Sequence, residues 1–195
     1  MNVLAILVFL FPLAFSPGPG NMFFAANSAR FGIRATLPAN FGYHVATWVV
    51  TMLIGAGLGG IIIQFPSAGL WMKYLGAAYV FWLAIKLARS TAPGEGKVAI
   101  AGFWDGFMLL LLNPKGYVIM MLLCTQFVVA TQASTSQLIW VATIFTLNNF
   151  VAFCVYSLAG DRIGQFFRDE RYAKWLNGGF GLILAMVAIW MAVSL

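Results

Sequence analysis

A polytopic, all-α membrane protein is the fold class this sequence predicts, and three observations predict it. First, 62% of the 195 residues are hydrophobic and 8% are charged, where a soluble domain carries about 25% charge. Second, the charges leave long gaps, with none in residues 1–29, 35–72, 116–160 and 175–195. Third, the basic residues fall in three short clusters between hydrophobic runs. That is how topology signals are placed, and it argues against a nucleic-acid patch despite the net charge of +6. A span takes roughly 20 apolar residues, so the apolar content is enough for six spans with short loops and no soluble domain. Residues 1–195 are expected to form one transmembrane domain.

The first span is expected over residues 3–28, broken by Pro17 and Pro19. It lacks a basic leader and a small-x-small cleavage site, so it reads as a retained span and not as a signal peptide. The second is expected over 37–63, the third over 69–88, and the fourth over 103–130 with an interruption at Asn113-Pro114. The fifth is expected over 137–160 and the sixth over 175–194. Arg30 and Arg34 follow the first span, Lys86, Arg89 and Lys97 the third, and Arg162, Arg168, Arg171 and Lys174 the fifth. Nine of the 11 basic residues thus lie on one side, against Lys73 alone on the other. The odd loops are therefore expected in the cytoplasm and both termini outside. Residues 161–172 read as a short interfacial helix with Ile163, Phe166 and Phe167 toward lipid. Gly55, Gly57, Gly59 and Gly60, and Gly178, Gly179 and Gly181, read as close-packing devices. Most of the tryptophans stand near span ends, as interface anchors do.

The chain resembles itself. Lys73–Tyr79 (KYLGAAY) matches Lys174–Phe180 (KWLNGGF), Trp48–Thr51 matches Trp140–Thr143, and the Pro17 break matches the Pro114 break, all in the same order. Each repeat, about 1–90 and about 98–195, holds three spans. An odd number inverts the second copy, an architecture in which secondary transporters place a midplane site between the halves.

The two breaks carry the chemistry. In Ser16-Pro17-Gly18-Pro19-Gly20-Asn21, two prolines and two glycines must open the helix. An open helix in hydrocarbon is tolerated only where protein or a water cavity covers the freed groups. Those groups, with the half-helix N-terminus near Asn21, suit a carboxylate; the plainer alternative is a packing kink. In Asn113-Pro114-Lys115, a lysine lies well inside an apolar span at a cost of about 2.5–3.5 kcal/mol. Its expected partner is a substrate carboxylate, Asp105, or carbonyls freed by Pro114, and the alternative role is a structural cap. His44, the single histidine, is either a proton-coupling group or a packing residue. Asn148 and Asn149 need partners in lipid, from a cavity or from neighbouring helices. Asp105 is either an interface anchor or part of a gate.

PGPGN at 17–21, the basic Arg30–Arg34 segment, WMKYLGAAYVFWLAIKL at 71–87, GFMLLLLNPK at 106–115 and Thr125-Gln126-Phe127 together resemble the LysE/RhtB family of amino-acid exporters over nearly the whole chain. The resemblance implies a multi-pass carrier of the bacterial inner membrane, driven by an ion gradient, with protons the expected coupling ion. It exports amino acids or close derivatives. It carries over onto Pro17, Gly18, Pro19, Asn21, Asn113, Pro114 and Lys115, and onto Gln126 as the polar member of a weaker signature in which Thr125 replaces proline. Exporters of basic amino acids in the group tend to carry an aspartate in the second span, where this chain has Phe41–Thr47 and no acid. The expected substrate is therefore neutral overall, its side chain on a wall near Tyr43, Trp48 and Phe150. A homo-oligomer is compatible with this reading.

Other functions find less support. No GxxxxGK is present, one histidine and two separated cysteines argue against a zinc site, and no cofactor is implied. Cys124 and Cys154 lie on neighbouring spans without a CxxC, a weak basis for a thiol redox relay. No nucleophile-elbow signature marks an enzyme. A helical subunit of a larger complex is the main alternative to a carrier.

Overall fold

The structure, a computed structural model, describes residues 3–58, 64, 66–88, 100–128, 135–166 and 170–193. Among these, every regular element is helical. The helices are α1 (Val3–Phe15), α2 (Pro19–Phe31), α3 (Ile33–Leu53), α4 (Pro66–Ala88), α5 (Phe103–Leu111), α6 (Pro114–Phe127), α7 (Thr135–Phe166) and α8 (Glu170–Val193). Gly32 joins α2 to α3 with φ 85°, a left-handed conformation that glycine takes without strain. Asn27 Nδ2 donates to Thr36 Oγ1 across that turn at 3.0 Å. A π-helical turn, Ile54–Leu58, extends α3, and Gly57 within it has φ 118°.

The distribution of polarity is that of a protein solvated by lipid. Phe41, Trp104, Leu147 and Trp175 stand more than half exposed. Asn21, Asn40, His44, Thr47, Thr51, Asn113 and Asn149 are buried. Polar groups without water must find partners inside the protein, so they turn inward. Among the described residues α7 alone is long and apolar enough to cross a bilayer as a single helix. The pairs α1–α2 and α5–α6 qualify as single broken spans, bent by 63° and 66°. Both bends fall at the expected prolines.

Among the described residues α4 and α8 make the most extensive contact, and α3 packs along α7. Both pairs run antiparallel. Gly76 faces Met191 while Gly181 faces Ala84 and Ala88. Trp48 Nε1 donates to Thr143 Oγ1 at 3.1 Å, and further along His44 meets Asn149 and Asn40 meets Cys154. α2 lies on α7 because Gly160 and Gly164 are bare, and a Cβ on either would strike the carbonyl of Ala25 or Ala29. Gly42 and Gly106 do the same where α3 crosses α5, against Phe103 and Ala39.

Some local expectations do not hold. Asp161–Phe166 forms the last turns of α7, not a separate interfacial helix, because nothing in Ser157–Gln165 breaks the backbone ladder. Phe167, Arg168 and residue 169 lie outside the described residues, as do Arg89, Lys97, Gly59 and Gly60. Among the described residues Gly57, Gly178 and Gly179 have no close neighbour, whereas Gly55 and Gly181 do. Asp105 caps its own helix, its Oδ2 accepting from Gly102 N at 2.8 Å.

Candidate functional site

At the first break the last regular bond of α1 is Ser16 N to Pro12 O, 3.0 Å. Pro17 and Pro19 have no N–H to give to the carbonyls of Leu13 and Phe15, the i−4 positions. A helix end leaves four such carbonyls orphaned, and here side chains meet all four. Ser16 Oγ donates to Leu13 O at 2.9 Å. Asn21 Nδ2 donates to Ala14 O at 3.0 Å, Tyr156 Oη to Phe15 O at 2.9 Å, and Lys115 Nζ to Ser16 O at 2.6 Å.

The last of these bonds joins the two breaks. Of its expected protein partners, Lys115 meets neither Asp105 nor a carbonyl freed by Pro114. It crosses to the carbonyl end of α1, where the freed acceptors are, while Asp105 is occupied with its own cap. Gly18 makes room for it: a Cβ there would lie 2.9 Å from both Cδ and Nζ of Lys115.

The second break closes mostly on its own backbone, through Leu112 N to Met108 O, Asn113 N to Leu110 O and Gly116 N to Asn113 O. Asn113 is buried, and its Nδ2 donates to Tyr43 Oη at 2.8 Å. Its Oδ1 has no donor among the described residues. Both half-helices that restart after a break, α2 and α6, begin with proline, and no side chain caps either N-terminus.

A cavity of about 10 Å³ lies between the breaks, room for about one water. Asn21, Tyr43, Thr47, Asn113, Lys115, Asn149 and Phe153 are among its lining residues, and none of the lining residues is acidic. The Phe153 ring packs 4.7 Å from that of Tyr43. Gly20 admits it, since a Cβ there would fall 2.6 Å from Phe153 Cζ.

The other expected residues divide. Asn149 lines the cavity and also meets His44 Nε2 at 3.2 Å. His44 Nδ1 lies 2.8 Å from Asn40 O, which can only accept, so Nδ1 carries the hydrogen and Nε2 accepts from Asn149. The neutral ring is thus satisfied on both sides, and a proton added at Nε2 would require the Asn149 amide to turn over. Gln126 is exposed near the end of α6, away from the cavity. Asn148 does not line the cavity, and its Nδ2 is buried without a partner among the described residues.

The expected wall of Tyr43, Trp48 and Phe150 is not one surface. Tyr43 faces the cavity, whereas Trp48 and Phe150 line a separate apolar groove of about 400 Å³ between α3 and α7. The helical period separates residues five apart onto different faces. Tyr156 was not expected at all. Its signal is a phenol's need for a hydrogen-bond partner within an apolar run.

The family model of the LysE type translocators matches residues 11–195. The chain belongs to the LysE type translocator family. It is 28% identical to a protein of Vibrio cholerae named "Uncharacterized membrane protein", over 91% of this chain and 90% of that one. It is 26% identical to the "Cysteine/O-acetylserine efflux protein" of Escherichia coli (strain K12), over 93% and 91%. The homologue of that name from strain E24377A is 27% identical over the same shares. No solved structure matches the chain. This LysE type translocator is therefore a membrane protein of a translocator family with relatives named for efflux.

Proposed function

We propose that the protein is a secondary-active exporter of small neutral amino acids or their close derivatives across the bacterial inner membrane. Its substrate binds near the midplane, between the two breaks. One observation carries this reading: the cavity brings the Lys115 ammonium and the neighbouring N-termini of α2 and α6 together in a lining with no acid. Such a donor set receives a carboxylate, and a cationic side chain would find no counter-charge there. The efflux names of the Escherichia coli relatives point to the same substrate size and charge.

The proposed architecture is six spans in two inverted three-span repeats, about 1–90 and 98–195, with both termini periplasmic. The antiparallel packing of α3 on α7 and of α4 on α8 supports it, because inverted copies run in opposite directions. Proton entry drives export in this proposal. The reading is tested by overexpressing the protein in a sensitive strain and challenging growth with toxic amino acids and analogues. Resistance to neutral analogues that is lost in Lys115→Met supports it. Resistance to none of them, with the protein present in the membrane, refutes it.

A further inference from the structure

We infer that Lys115 stands in for the substrate's own amino group. A bound amino acid places its α-ammonium on the Ser16 carbonyl and on Asn113 Oδ1, and Lys115 moves off to hold the carboxylate. This inference rests on the export reading above and names the groups that recognise the amino end of the substrate.

Four features of the site lead there. The Ser16 carbonyl already accepts from an alkylammonium, at 2.6 Å, so it is placed to bind one. Asn113 Oδ1 is a buried acceptor without a donor among the described residues, and Asn113 lines the cavity together with Lys115. Native proteins seldom leave such an atom unmet, and an ammonium has three N–H groups, enough for both acceptors. The cavity takes about one water, so a larger ligand enters only by displacing a lining group. Lys115 is the long, unbranched one, and it lies over Gly18, whose missing Cβ leaves it room. Once displaced, its ammonium lies near two helix N-termini without side-chain caps, where a carboxylate is favoured. One displacement therefore prepares both ends of a zwitterion site, and a ligand with only one of the two charges cannot complete the exchange.

The test uses purified full-length protein in detergent and n-butylammonium, which is the lysine side chain without its backbone. Wild type should bind it poorly, because Lys115 holds the subsite. Lys115→Ala should bind it at least about tenfold more tightly, and adding Asn113→Leu should weaken that binding about tenfold, the size expected for a hydrogen bond to a charged group. n-Butanol should bind to none of the three. If Lys115→Ala does not fold, Lys115→Met with methylammonium should give the same pattern. Equal amine binding by wild type and the lysine variants, or indifference to Asn113→Leu, overturns the inference. In proteoliposomes, N-acetylation of an exported amino acid should reduce its competition at least about tenfold. Export of amino acids with the amine pattern absent refutes this inference alone, whereas export of no amino acid refutes the functional reading and this inference with it.

Discussion

At the first break four carbonyls in succession, Leu13 to Ser16, are each met by a side chain, whereas at the second the chain closes on its own backbone. The donors at the first come from the break itself, from α6 and from α7. That break is therefore a hub tying three elements together, and a buried carbonyl left without its donor costs about 1–3 kcal/mol. The second break depends less on its neighbours and leaves Asn113 Oδ1 bare. Two proline motifs that look equivalent in sequence thus divide the work: one holds the structure and the other keeps an acceptor unspent. Lys115 belongs to both, since it lies in the first turn of α6 and bonds the end of α1.

This contrast can be broken or sharpened by substitution. The largest effect is expected at Lys115. Lys115→Met should abolish transport while membrane insertion persists, and Lys115→Arg should impair transport, because a planar guanidinium does not fit the space of a compact ammonium. Efflux and membrane abundance, measured together, check both. Next is Gly160→Ala, which drives a methyl into the Ala25 carbonyl and loosens the α2–α7 contact that steadies the first break. Overpacking of this kind costs about 1–3 kcal/mol, readable as a lowered unfolding midpoint in detergent.

Tyr156→Phe should leave the Phe15 carbonyl unmet and lower stability by up to the same amount, with substrate preference unchanged. Asn113→Leu at the second break should cost stability less, about 1 kcal/mol for its bond to Tyr43, and transport more. If Tyr156→Phe altered transport more than Asn113→Leu did, the division between hub and site would be reversed. The smallest effect is expected for Gly178→Ala, which meets open space and should be neutral or stabilising by up to about 1 kcal/mol through helix propensity.

Much of this was legible because proline acts locally. Pro17 and Pro19 with their glycines, and Pro114 after Asn113, mark the breaks, and the bends are found at those positions, whereas Pro12 and Pro38 stand inside continuous helices. Charge gaps and apolar runs marked the helical membrane class for a similar reason, since lipid imposes the same demand on every segment. Long-range partners were less legible. Lys115 was recognisable as a costly group in an apolar span, but its bond to Ser16, 99 residues away, depends on how α6 is set against α1. Tyr156, 141 residues from the carbonyl it meets, resembles any other tyrosine in an apolar run. The joint wall of Tyr43, Trp48 and Phe150 failed because nearness in sequence does not show which face of a helix a side chain occupies. Glycine motifs gave mixed results for the same reason, as Gly55 and Gly181 have close neighbours while Gly178 and Gly179 have none among the described residues.

The central claim is that this site takes a zwitterion without a second positive charge, and efflux from proteoliposomes tests it most directly. Purified protein would be assayed with leucine, threonine, homoserine, cysteine, O-acetylserine, lysine and arginine under an imposed proton gradient. Efflux of one or more of the neutral substrates, with lysine and arginine at the background of protein-free vesicles and all activity lost in Lys115→Met, is the result expected. Preference for lysine or arginine, or full activity of Lys115→Met, would contradict the charge logic of the site.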